Sequence, residues 1–249
     1  MAKNMMKGLI RQPGGIGDIF YTQKIVKKLL EGTVDEVCWP VEDQYCACLN
    51  DYLDAKNINF IPLSNFLDTS ELYSTDINEI VRKGDILYIP LQHSDQIHTN
   101  MSVMKAKYYF CNMRYEFEDW DLYFNFRRDE EKEKELKDFL KIKDGDDFVV
   151  ISETYGTLPN YTTKNVPYDG DKKIIKLTPH KGFSVFDWCW IFENASEIHM
   201  IETCFIYILE KLNLKAEILN LYSKWEPAFW GHVGYIPKKV KWNFCDWPV

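Results

Sequence analysis

An acid closing a glycine-rich turn is the first group along this chain with an evident chemical use. The stretch Gln12-Pro13-Gly14-Gly15-Ile16-Gly17-Asp18 follows a short apolar run at residues 6–10 and leads into helical periodicity. Gly14, Gly15 and Gly17 let the backbone turn tightly and let a ligand approach the N-terminus of the following helix. The spacing is neither the Gly-x-Gly-x-x-Gly of dinucleotide folds nor a phosphate loop ending in Gly-Lys-Ser/Thr. Asp18 would repel a phosphate, but a carboxylate at the mouth of a cleft can take the proton of an attacking hydroxyl. Acting only as the helix N-cap is the other reading of the same residue.

A second group follows the strand expected at residues 197–201. Glu202 and Thr203 stand there at a strand's C-terminal end, where open α/β sheets bind ligands. Glu202 is placed to accept hydrogen bonds from two neighbouring hydroxyls, as a ribose offers. Thr203 can cap the next helix, whose dipole favours a phosphate. An ordinary cap with an incidental acid is the alternative. Lys181, after a strand at 174–177, can neutralise diphosphate charge or can simply be solvated. Ser152 and Gly156, in Ser152-Glu153-Thr154-Tyr155-Gly156-Thr157, can cradle a ligand or form a plain turn. His93 and His98 follow a strand at 85–89 and can line a cleft, whereas His199 reads as a hydrogen-bonded core residue. No His/Cys/Asp set has metal-ligand spacing, and Asp119-Trp120-Asp121 sits inside an aromatic segment.

The elements that position these groups alternate between strand and helix, which implies a mostly parallel sheet. Strands are expected at residues 6–10, 36–39, 60–63, 85–89, 148–152, 174–177, 197–201 and 216–221. Helices are expected from residue 19 to 30, with lysines opposite the apolar stripe, and at 45–53, 128–142, 186–194 and 205–212. Residues 153–171 read as a polar loop. The boundaries that follow are an N-terminal Rossmann-like domain at 1–127, a charged linker helix within 128–145, a compact C-terminal Rossmann-like domain at 146–222, and an aromatic tail at 223–249 that packs back.

Bulk properties narrow the classes. At 249 residues, 46% hydrophobic and 27% charged, the chain has ordinary globular composition. The net charge of −8 gives no general attraction for nucleic acid, and the basic runs at 24–28 and 127–128 read as solvated helix faces. Aromatic content of 15% suits a dense core or a ring-stacking pocket, and core is the better account. Seven cysteines with no Cys-x-x-Cys pair are expected to be free thiols in a reducing cytoplasm. No signal-peptide pattern opens the chain, and no apolar run approaches the length of a membrane span.

Residues 14–25, Gly-Gly-Ile-Gly-Asp-Ile-Phe-Tyr-Thr-Gln-Lys-Ile, resemble the opening motif of heptosyltransferase-type glycosyltransferases, family 9 of the GT-B class. Gly17, Asp18 and Thr22 match that motif, with Gln23 at a position often held by proline. Residues 182–195 resemble the family's short helix before the donor-site strand. Residues 198–208 resemble its strand–Asp-Thr-Gly–x-x-His–helix signature, with Thr203 matching, Glu202 for the Asp, Cys204 for the Gly and Tyr207 for the His. The resemblance implies an α/β chain of two Rossmann-like domains facing a cleft, a nucleotide-sugar held by the C-terminal half, and Asp18 as the base. It further implies inverting transfer to a glycan or other hydroxyl acceptor met by the loop of Gly14, Gly15, Gly17, Thr22 and His93, with no metal and no cofactor. Ser152, Gly156, Lys181, Glu202 and Thr203 would then meet the donor. The other readings are a GT-B-like binding or scaffold protein without catalysis and an S-adenosylmethionine-dependent methyltransferase. The latter fold wants an acid after the second strand, and Val37-Cys38-Trp39-Pro40 offers none.

Overall fold

The computed structural model describes residues 5–11, 15–66, 68, 70–73, 79–91, 101–113, 116–157, 160–224 and 235–247. The chain divides into two compact units, Met1–Arg127 with Gly231–Ile236, and Arg128–Trp230 with Pro237–Val249.

The first unit is built on β1 (Lys7–Ile10), β2 (Glu36–Val41), β3 (Ile58–Pro62), β4 (Val81–Lys83) and β5 (Ile86–Ile89), with α1 (Ile16–Leu30), α2 (Asp43–Tyr52), α3 (Ser70–Tyr73) and α4 (Val103–Phe110). The sheet runs β3-β2-β1-β5-β4, parallel except for β4 against β5. β1 is central, and its Gly8 matters. A Cβ there would stand 3.0 Å from Ile89 Cδ1 and 3.1 Å from Val37 Cγ2, so glycine lets the flanking strands' side chains close over β1. The chain leaves β1 for β2 and β3 on one side and returns to β5 on the other. The strand order therefore reverses between β1 and β5.

α1 is buried almost all round, not along one stripe. Residues 116–126 cover its second side, where Phe20 stacks on Phe124 and Tyr21 leans on a fully buried Trp120. The lysines expected in solvent hold that cover down. Lys24, 4% exposed, donates to Asp119 Oδ1 at 2.5 Å and to the Glu116 carbonyl at 2.6 Å. Lys27 donates to the Tyr123 carbonyl at 2.9 Å.

The second unit holds β6 (Phe148–Ser152), β7 (Thr154–Thr157), β8 (Asn160–Thr163), β9 (Lys173–Lys176), β10 (Glu197–Ile201), β11 (Ile218–Tyr222) and β12 (Asn243–Cys245), with α5 (Glu130–Phe139), α6 (Cys189–Asn194) and α7 (Phe205–Leu209). Five strands form an all-parallel sheet in the order β12-β11-β10-β6-β9. Every residue of β6 is buried, as a strand covered on both faces requires. The chain goes from β6 to β9 on one side and then to β10 on the other, so the order reverses between β6 and β10.

Three segments differ from the sequence expectation. The polar loop at 153–171 contains the antiparallel pair β7–β8, because threonine and tyrosine, which favour strands, are concentrated there. The charged helix α5 is solvated on one side only: Arg128 bonds both Glu133 and Glu193, 2.7 Å each, which docks α5 on α6. The tail supplies β12, and the Glu210 carboxylate accepts the N–H groups of Lys238, Lys239 and Val240 at 3.1, 2.6 and 3.1 Å. A tail with no periodicity is thereby fixed by one buried acid.

Candidate functional site

In the first unit the polar residues gather at the carboxyl edge of the switch between β1 and β5, the place where open α/β sheets take ligands. Asp18 is the third residue of α1. Its N–H bonds the Gly15 carbonyl at 3.1 Å, and Gly15 occupies the N-cap position with no side chain to cap. The N-cap reading of Asp18 is thus replaced: its carboxylate is free of that duty and is 31% exposed. Oδ1 lies 3.4 Å from Nζ of Lys107 in α4, and Lys107 is fully buried. A Cβ at Gly15 would lie 3.8 Å from Asp18 Oδ2, so the glycine leaves that oxygen uncrowded. Gly17 is the second helical residue. Thr22 is buried, and its hydroxyl donates to the Asp18 carbonyl at 2.7 Å, which commits it to the helix and away from a ligand. Gly14, His93 and His98 lie outside the described residues.

Lys107 was not legible as a site residue, although one signal existed. It shares a helix face with Met104 and Cys111, and a lysine on an apolar stripe needs a partner. Burial pulls its pKa below the ordinary lysine value, and Asp18 opposes that fall.

In the second unit Ser152 and Glu202 flank the switch between β6 and β10. Ser152 closes β6 opposite Met200, is buried, and stands one strand from Glu202, which follows β10 directly. Glu202 is 5% exposed; its backbone N–H bonds the Tyr222 carbonyl at 2.9 Å, while its Oε2 has no hydrogen-bond partner among the described residues. Burial raises its pKa above the ordinary carboxylate value, with Lys224 opposing. The next side chain, Thr203, also carries a buried Oγ1 without a partner. Thr203 does not cap α7. Cys204 takes the cap position in helical conformation, and the Thr203 carbonyl accepts from Ile206 N at 3.3 Å. α7 has five residues, little more than one turn, so its dipole is a weak phosphate attractor.

Two further predicted donor residues lie in other elements. Lys181 is exposed in the loop after β9, and its ammonium makes no hydrogen bond or ion pair among the described residues. Gly156 lies in β7 at φ +107°, a conformation that favours glycine, paired with Tyr161. It shapes the hairpin and does not form a turn. His199 behaves as a core residue, 3.1 Å from Glu197 Oε2 and 3.2 Å from Asn220 Nδ2. No cluster able to hold a metal ion occurs among the described residues, and Asp119 is engaged by Lys24. The acid expected to be missing after the second strand is present: β2 runs on to Val41, and Glu42 follows it.

Two open, largely parallel sheets, each with polar side chains at the carboxyl edge of its switch point, define an α/β protein of Rossmann-like units. Its fold is similar to a solved structure, the glycosyl transferase family 9 from Veillonella parvula DSM 2008. The TM-score is 0.53 at 8% identity, over 98% of this chain and 88% of that one. The likeness is one of fold, to a glycosyltransferase. No protein-family model matches the chain, and no curated protein matches its sequence. No described helix is long and apolar enough to cross a membrane.

Proposed function

We propose that the chain is a metal-independent, inverting glycosyltransferase of GT-B arrangement that moves a sugar from a nucleotide-sugar to a hydroxyl acceptor, with no cofactor. The observation that carries this reading is the adjacent pair of buried oxygens, Glu202 Oε2 and Thr203 Oγ1, that have no hydrogen-bond partner among the described residues, at the switch point of the second sheet. Leaving such an atom unsatisfied costs about 1–3 kcal/mol. A ribose diol donating to Glu202 would remove that penalty, and Thr203 is in place to bond a neighbouring phosphate. Lys181 and the Ser152–Gly156 stretch are the outer donor contacts.

In the first unit Asp18 takes the proton of the acceptor hydroxyl as that oxygen bonds to the anomeric carbon. The bond from that carbon to the phosphate oxygen breaks on the opposite face, and its electrons leave with the nucleotide. Gly14, Gly15, Gly17, Thr22 and His93 form the acceptor side, with Thr22 acting through the helix backbone. A reducing cytoplasm suits the seven free cysteines.

Glu42 keeps the methyltransferase reading open to test, since an acid after β2 is what a bound S-adenosylmethionine ribose needs. The likeness to a glycosyltransferase over both units favours transfer of a sugar. A thermal-shift screen of UDP-, GDP-, ADP-, CMP- and dTDP-sugars beside S-adenosylmethionine decides. Stabilisation by one nucleotide-sugar is expected. Stabilisation by S-adenosylmethionine alone would overturn the reading, and binding of a nucleotide-sugar without turnover would favour the scaffold.

A further inference from the structure

We infer that Lys107 is the positioning residue of the Asp18 carboxylate. The inference rests on the reading of Asp18 as the base. Three observations bear on it. α1 leaves β1 and α4 lies beyond β5, so the Lys107–Asp18 contact, 3.4 Å from Nζ to Oδ1, spans the switch point itself. Lys107 is completely buried, and its Nζ also donates to the Leu91 carbonyl at 2.5 Å, which ties the ammonium to the chain just past β5. Finally, the two helices are locked in register beside the pair: Tyr108 Oη donates to the Tyr21 carbonyl at 3.0 Å, and the two rings meet edge to face at 5.4 Å.

A buried ammonium held at two points has little freedom, so it fixes one carboxylate oxygen of Asp18 and leaves the other directed past Gly15. The arrangement resembles the base–orienter logic of other proton-transfer sites, in which a second group sets the direction of the base. It also alters what an Asp18 variant reports. Asn at 18 removes the base and also leaves Lys107 buried beside a neutral group, so instability and lost chemistry arrive together.

The test is a double-mutant cycle on Asp18→Asn and Lys107→Met, read both as melting temperature and as nucleotide release from the sugar nucleotide found by the screen, with water as acceptor. Non-additive melting shifts are expected, the double variant melting no lower than Asp18→Asn alone. Lys107→Met should lower kcat about 10–100-fold at nearly unchanged donor KM, partly restored in Lys107→Arg, with no further loss in the Asp18→Asn background. If Lys107→Met alone does not fold, the double variant against Asp18→Asn still reports the coupling. Additive melting shifts, or an equal kcat loss in both backgrounds, overturn the inference while leaving the transferase reading intact. A wild type that releases no nucleotide defeats the transferase reading, and the positioning role with it, even if the melting shifts couple.

Discussion

The two units place polar residues at equivalent points, the carboxyl edge of a strand-order reversal, yet they treat them differently. In the first unit the acid is held: Asp18 faces Lys107, and Thr22 bonds the Asp18 backbone. In the second the acid is left wanting, with Glu202 Oε2 and Thr203 Oγ1 both buried and without a hydrogen-bond partner among the described residues. A group that must be in place before its reactant arrives is pre-organised by the protein. A group whose partner is the ligand is kept short of hydrogen bonds until the ligand comes. On the proposed reading, this difference corresponds to chemistry in the first unit and binding in the second.

The largest effect should come from breaking the held side. Asp18→Asn in the Lys107→Met background, which avoids an uncompensated ammonium, should lower turnover about 10²–10⁴-fold, the usual contribution of a general base. Nucleotide affinity should stay at the wild-type level. Near-normal turnover would end the catalytic assignment.

The rigidity of the held side depends on its aromatic cover. Lys24→Met removes the donor to Asp119 and to the Glu116 carbonyl. Asp119 is 45% exposed, so water substitutes in part, and the loss should be about 1–2 kcal/mol. Melting should fall by several degrees with nucleotide binding unchanged, and an unshifted melting temperature would show that the cover does not depend on this pair.

The unsatisfied side makes the opposite prediction. Burial raises the Glu202 pKa above 4.5, so the folded protein holds that proton more tightly than the unfolded chain does. The stabilising contribution is full below pH 4.5 and is lost as pH rises through the folded value. Glu202→Gln removes that loss and should raise the melting temperature at pH 7.5 by about 2–4 °C, with little or no gain at pH 4. Equal shifts at both values would contradict the buried-carboxylate account. A smaller effect is expected at the rim of the held side: Gly15→Ala keeps the fold, because its Cβ meets Asp18 Oδ2 at ordinary contact distance. Turnover should fall only a few-fold, about 0.5–1 kcal/mol of barrier.

Much of this comparison could be read from the sequence. β6 is a continuous apolar run ending at Ser152, and β10 closes on the apolar pair Met200-Ile201 before Glu202, so Ser152 and Glu202 declared their positions. Asp18 did so through the glycines before it. What stayed hidden depended on distant partners. Lys24 and Lys107 look like surface lysines until residues 116–126 and the end of β5 are placed beside them. β12 is three residues long and forms only against β11. The sequence pattern shows β2 only over residues 36–39, whereas a parallel partner carries the strand through Pro40 to Val41. Local pattern marked the elements and the polar groups at their ends, while pairing across the sheet decided which charges were buried.

The most direct measurement is calorimetric titration of the nucleotide-sugar panel into the wild type, Glu202→Ala, and the Asp18→Asn/Lys107→Met double variant. The account predicts that one nucleotide-sugar binds the wild type and the double variant equally. It predicts about 10–100-fold weaker binding to Glu202→Ala, corresponding to about 1–3 kcal/mol for hydrogen bonds to a charged group. Undiminished affinity in Glu202→Ala, or weakened binding only in the double variant, would contradict the division between a binding unit and a chemical one.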